Sequence, residues 1–189
     1  MSFRDEEFIR LMNRGKASVT GDLAHGIFFR EERMNFQEKK LLGEKLFVSL
    51  PEDFDEMSEE NACMRYPMPQ RPQIIMTNET EDKIFGFSLI ECETDNLEVP
   101  ARAQFFKNTI MNARADISIM EENELSIEGK TIAWFDYVSS GLGQEIYNMM
   151  YFASIDNKLL HGIFHCDIQE AENWKKIVHE VMKSIREES

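Results

Sequence analysis

The stretch TIAWFDYVSSGLGQEIYNMMYFASIDNKLLHGIFHC, residues 131–166, decides the fold class. It contains three runs rich in β-branched and aromatic residues, which the turn-forming segments 139–143 and 156–157 separate. Such runs with short polar connections are typical of antiparallel strands. A further run, residues 117–125, precedes this stretch across a turn at Gly129. The pattern therefore predicts a meander of four antiparallel strands.

Two helices are predicted, one before and one after this meander. Residues 100–113 repeat apolar side chains at helical spacing, and Pro100 suits a first helical turn. Asp167 and Glu170 resemble a capping box at the start of the closing helix. That helix carries one apolar stripe, made up of Ala171, Trp174, Ile177, Val178, Val181, Met182 and Ile185.

The N-terminal half predicts four more strands. Residues 34–41 pair with 45–50 around Gly43, and residues 74–77 and 84–90 follow as two strands. A chain of 189 residues suits one domain. The sequence thus predicts an α+β fold, with a central antiparallel sheet of about six or seven strands flanked by helices.

The predicted domain spans residues 34–189. Residues 1–33 are predicted to be an N-terminal extension, with a short helix at 3–13 and a loop at 15–26.

The charge balance restricts the class of partner. The chain has a formal net charge of −14, and residues 46–189 carry 12 basic against 27 acidic side chains. Such a surface repels phosphate backbones and anionic membranes, so we expect neither nucleic acid nor membrane as a partner. Any protein partner is expected to offer a basic or apolar surface.

The three cysteines, Cys63, Cys92 and Cys166, are widely spaced and form no CxxC motif. Free thiols suit a reducing cytosol. The first eleven residues hold three acidic side chains and no apolar run, so no signal peptide is expected. No run of 18 apolar residues occurs. We therefore expect a cytoplasmic protein.

Two histidines, His161 and His165, have a spacing that would converge on one ion in a helix. On the predicted strand they share a face ~13 Å apart at ~3.3 Å per residue, too far to chelate one zinc ion. Cys166 should point away from His165 and serve as a buried structural thiol. An EF-hand loop starting at Asp53 fails at its sixth and twelfth places. The sequence therefore predicts no catalytic, cofactor-binding or metal-binding residues.

Two features are candidate partner surfaces. The first is an acidic segment that contains Glu52, Asp53, Asp55, Glu56, Glu59 and Glu60. By default we expect it to be a solvated loop, and the alternative is a surface that binds a partner. The second is the aromatic content of residues 134–152, which makes the central strands apolar on both faces. This predicts helices on both sides of the sheet, with one or two tyrosines at its margin.

The order of several short motifs resembles the PsbP-like superfamily. These are residues 43–51 ending in Leu-Pro, the Tyr66-Pro67 segment with the strand at 84–89, and the final strand and helix over 164–185. The superfamily includes a photosystem II extrinsic subunit, a Ran-binding nuclear transport factor and bacterial proteins of unknown role. The resemblance covers about residues 43–186. It implies a central antiparallel sheet and a non-enzymatic module that binds other proteins, and it supplies no site residues.

Three hypotheses of function follow. The leading one is a non-catalytic, soluble protein-binding or adaptor module without a cofactor, whose partner is another protein. The second is a small-ligand-binding protein or an enzyme that uses a pocket between the sheet and a helix. The third is a structural subunit of a larger assembly, for which the 12 methionines and the two-faced apolar strands are weak support.

Overall fold

The computed structural model describes residues 19–29, 32–67, 71–141 and 143–188. Within these ranges lie three α-helices: α1 (Glu59–Arg65), α2 (Val99–Ala113) and α3 (Ala171–Lys183). The same ranges contain the strands β1 (Thr20–Asp22), β2 (Gly26–Phe29), β3 (Glu32–Met34), β4 (Phe36–Leu41), β5 (Leu46–Pro51), β6 (Asp55–Glu56), β7 (Ile74–Thr77), β8 (Ile84–Glu93), β9 (Ser118–Ile127), β10 (Lys130–Gly141), β11 (Gln144–Ile155) and β12 (Lys158–Asp167).

Seven of these strands form the central sheet, in the order β6-β7-β8-β12-β11-β10-β9. Every neighbouring pair is antiparallel. The predicted meander corresponds to β9 through β12, and β12 then pairs with β8 to join the two halves of the chain. The predicted α+β class, with a sheet of about six or seven strands and flanking helices, is therefore confirmed.

The two faces of the sheet carry separate cores because strand side chains alternate between them. On the first face, α3 buries the predicted stripe up to Met182 against side chains such as Tyr151, Phe164 and Phe85, and Ile185 is buried just after the helix ends. On the second face, α2 covers a smaller cluster around Phe135 and Phe152. We call these the α3 face and the α2 face of the sheet.

Helix α1 also lies on the α2 face. Its Ala62 packs in a third cluster with Ile75 and Ile84, and Tyr66 packs against that cluster. Two helices therefore share this face, and α2 buries only Val99 and Ala103.

The tyrosines of the central strands are more buried than predicted. Tyr137, Tyr147 and Tyr151 all lie in the core. The expectation that one or two of them would lie at the margin of the sheet was wrong, because both faces are covered where these residues stand.

Two small sheets precede the central one. β4 and β5 form the predicted hairpin, which turns through Leu42, Gly43 and Glu44, all with positive φ. β1, β2 and β3 form a three-stranded sheet that begins at Thr20. The predicted loop at 15–26 was therefore wrong for Thr20–Asp22, where three exposed residues form a strand without an apolar alternation to signal it. The predicted helix at 3–13 lies outside the described residues.

The closing helix begins as a 3-10 turn, Ile168–Glu170, and continues as α3. The Asp167 carboxylate accepts a hydrogen bond from the Gln169 amide, which satisfies one free donor at the start. Glu170 forms an ion pair with Lys83 at 2.9 Å, which ties the start of the helix to β8. No helix in the described ranges has both the length and the apolar run that a membrane crossing needs.

Candidate functional site

The predicted acidic surface lies along the β6 edge of the sheet. Glu52 and Asp53 occupy the turn after β5, Asp55 and Glu56 form β6, and Glu59 and Glu60 start α1. All six are exposed, while Phe54 and Met57 between them are buried. The buried pair anchors the segment, so its carboxylates face solvent from a fixed backbone.

Two of these carboxylates already have a cationic neighbour. Arg71 donates a hydrogen bond to Glu59, which holds the pKa of that carboxyl below its ordinary value. The Nζ atom of Lys39 lies 3.7 Å from Oδ1 of Asp55. The surface is therefore less acidic than its sequence indicates, and its role in binding stays a prediction.

The two candidate metal ligands lie on β12, as predicted, and point to the α2 face. The His161 ring stacks on Phe152, with centroids 5.1 Å apart, and also contacts Phe106. His165 Nε2 lies 3.2 Å from the Tyr66 hydroxyl. The two rings therefore have different partners, and no group of three metal-ligating side chains occurs in the described ranges.

Burial lowers the pKa of both His161 and His165 to about 4. Both rings are therefore neutral at neutral pH. Cys166 lies on the opposite face, packed in the core beneath α3, and burial raises the pKa of its thiol. The prediction of a buried structural thiol is confirmed. The histidines lie on a strand as predicted, but they are more buried than the half-exposed pair that the sequence indicates, because helices cover this face.

A pocket lies beside the C-terminal end of α1 on this face of the sheet. Its volume is about 320 Å³, near the lower limit for small-molecule sites. The floor is formed by strand residues between the two helix clusters: Ser88, Met150, His161 and Ile163. Arg65, Tyr66 and Pro72 contribute walls. The sequence offered a pocket between the sheet and a helix only as an alternative and could not place it. Its formation requires Tyr66 and Pro72 to lie beside His161 and Ile163, which are 89–97 positions away.

A buried polar cluster lies on the α3 face. Asp136 is fully buried, and its carboxylate accepts hydrogen bonds from Lys175 Nζ at 2.7 Å, the Tyr147 hydroxyl at 2.8 Å and the Glu121 amide at 2.8 Å. Lys175 also lies 5.1 Å from the Trp134 ring centre. The sequence alone did not predict this cluster. The available signal was one aspartate within the apolar run of residues 131–138.

The exposed side of α2 is unusually apolar for so acidic a chain. Phe105 is 65% exposed, Met111 50%, and Leu97, just before the helix, 89%. The helix contains no acidic residue, and both of its bases, Arg102 and Lys107, form ion pairs with carboxylates next to it. We call the exposed residues Ala101, Phe105, Asn108, Thr109, Met111 and Asn112 the outer surface of α2.

Comparisons with known proteins rest on structure, since no family model and no curated protein sequence matches this chain. The cyanobacterial PsbP protein CyanoP from Synechocystis sp. PCC 6803 is 12% identical, with a TM-score of 0.60 over 86% of this chain and 98% of that one. LpqN of Mycobacterium tuberculosis, involved in cell envelope biogenesis, is 10% identical, with a TM-score of 0.52 over 82% and 92%.

A protein from Bacteroides thetaiotaomicron is 11% identical, with a TM-score of 0.50 over 81% of this chain and 48% of its own. At such identities a structural likeness shows the fold and nothing about ligands or partners. The sheet order, the two covered faces and the match to CyanoP over nearly its whole length agree with the resemblance in the sequence. The chain has the PsbP-like fold.

Proposed function

We propose that this chain is a non-catalytic binding module for another protein, and that the outer surface of α2 is its contact surface. The observation that carries the proposal is the exposure of Phe105 on a helix without acidic residues. Exposed aromatic side chains supply much of the energy of protein interfaces when a partner covers them. Apolar surface left open to water has no stabilising role in the free chain.

The helix itself supports this assignment. α2 buries only Val99 and Ala103, whereas α3 buries seven of its thirteen residues. Phe106 and Ile110 are only partly buried against the sheet. A helix that adds so little to the core, yet keeps apolar side chains on its outer surface, is suited to donate them to a second protein.

The charge distribution indicates the partner's chemistry. The outer surface of α2 is uncharged. Glu98 and Glu122 beside it already pair with Arg102 and Lys107, whereas Glu124 on the neighbouring strand β9 forms no ion pair in the described ranges. We therefore infer a partner with an apolar groove edged by basic side chains. The acidic surface along β6 would add to the long-range attraction and make association faster at low salt.

The environments of the reactive side chains favour binding over catalysis. The Cys166 thiol is buried and its pKa is raised, so it is held as the poorly nucleophilic thiol. His165 shares its hydrogen bond with Tyr66, whose pKa burial raises to about 12. We also propose a cytoplasmic location, which the three free cysteines support.

The test uses native pull-downs with the full chain and two variants. Phe105→Glu places a charge at the centre of the outer surface of α2, and Lys176→Glu changes an exposed residue of α3 as the matched control. We expect the unchanged chain and the Lys176→Glu variant to recover the same protein. The Phe105→Glu variant should recover about tenfold less of it, or even less than that. Purified partner should reproduce the loss. Equal recovery by all three chains, with unchanged thermal melts, would contradict the proposed surface.

A further inference from the structure

The pocket beside the end of α1 has an apolar floor that contains two polar residues, Ser88 and His161. Met150 and Ile163 form a cross-strand pair on neighbouring strands, and His161 and Ser88 form another beside it. Pro72 closes one side of the pocket. A Cβ atom added at Gly86 would lie only 2.7 Å from the nearest ring atom of Pro72. The glycine thus lets the proline-containing segment approach the sheet and form a wall.

Of the two polar residues on the floor, His161 carries the unsatisfied atom. Its Nε2 is shielded from water and has no hydrogen-bond partner among the described residues. Its ring is fixed between Phe106 and Phe152, so it cannot turn to find one without losing both contacts. A buried ring nitrogen without a partner costs free energy.

The wall of the pocket is cationic. Arg65 lines it and forms no ion pair with a carboxylate in the described ranges, unlike Arg71 beside it, which binds Glu59. The Arg65 guanidinium lies close enough to Tyr66 and His165 to affect the pKa of both. An arginine that pairs with no carboxylate of the described residues is notable on a chain with a net charge of −14.

We propose that this pocket binds a small amphipathic carboxylate, whose apolar body lies on Met150 and Ile163 and whose carboxylate pairs with Arg65. The apolar floor accounts for the body of the ligand. The Arg65 guanidinium, which has no carboxylate partner in the described ranges, accounts for its charge. The neutral His161 ring then forms part of the surface on which the ligand lies. This inference is independent of the proposed protein contact, which uses the outer surface of α2.

The first experiment compares three probes of equal chain length: octanoate, octan-1-ol and octylammonium. We expect octanoate to bind with a dissociation constant near 1 mM or tighter, and octylammonium at least about tenfold more weakly. The methyl resonance of Met150 should shift with octanoate. The methyl resonance of Met149 should not shift, because this neighbouring residue points into the core on the opposite face of the sheet.

The second experiment separates the charge from the pocket. Arg65→Gln changes an exposed side chain at the end of α1 and should weaken octanoate about tenfold while leaving octan-1-ol unchanged. Lys176→Gln on α3 removes the same charge elsewhere and should change neither. Equal affinity for octanoate and octylammonium, shifts confined to residues away from Met150 and His161, or the same loss in both variants would each overturn the proposal.

Discussion

Replacing Lys175 with methionine tests whether the buried Asp136 depends on its cation. Lys175 Nζ lies 2.7 Å from the Asp136 carboxylate, which has no contact with water. Methionine keeps most of the aliphatic stem that packs on Trp134 and removes only the charge. The variant therefore leaves a buried carboxylate with two neutral donors, the Tyr147 hydroxyl and the Glu121 amide.

The expected loss follows from those contacts. Removing one partner of a buried ion pair costs about 3–5 kcal/mol. Two hydrogen bonds to Asp136 remain, and Lys175 is about one-fifth exposed, so we expect the lower end, about 3 kcal/mol. In a domain of this size that free energy lowers Tm by about 6–12 °C. Urea unfolding followed by tryptophan fluorescence measures the free energy directly, since Trp134 and Trp174 both lie in the core.

Two further variants make this prediction specific. Lys176→Met changes an exposed neighbour and should stay within about 0.5 kcal/mol of the unchanged chain. Combining Lys175→Met with Asp136→Asn removes the stranded charge and should recover about 1 kcal/mol or more relative to Lys175→Met alone. A loss below about 1 kcal/mol for Lys175→Met, or no recovery in the double variant, would refute the reasoning.

The remaining predictions concern β12. Gly162→Ala should lower the free energy of unfolding by about 3 kcal/mol, because the new Cβ would lie 1.9 Å from the Tyr151 ring; a loss under about 0.5 kcal/mol by urea unfolding contradicts this contact. Stability should be full above pH 6.5 and fall as the pH drops toward 4, because His161 and His165 have folded pKa values of about 4 and the unfolded chain binds those protons first. NMR titration of the two rings measures these values directly, and midpoints near 6.5 would contradict them.

The strands and the closing helix were predictable because their patterns are local and regular. β7 and β11 begin and end where the sequence placed them, and α2 starts one residue early at Val99. The two-residue strand β6 was not predicted, because its exposed carboxylates have no apolar alternation and it exists only by pairing with β7. Local pattern fixes an element only where one side of it is buried.

The candidate sites were far less predictable, because each depends on which distant segments meet. The interaction of Asp136 with Lys175 requires the pairing order of the sheet and the position of α3 over it. The apolar spacing in residues 100–113 predicted that one side of α2 is buried, but not that Phe106 and Ile110 would be only partly covered. How much of a helix is covered is a property of the assembled layers, which composition and spacing do not encode.

The position of β12 between β8 and β11 has a consequence for the order of folding. Each half of the sheet is made from neighbours in the chain, but β8 and β12 pair residues about 65–80 positions apart, such as Glu93 with Lys158 and Ile84 with His165. Closing so long a loop costs conformational entropy before the new contacts contribute any stabilising free energy. The joining of the two halves should therefore set the folding rate. Until the final strand docks, two incomplete ribbons expose unpaired edges, and this interval is when the chain is most prone to aggregate.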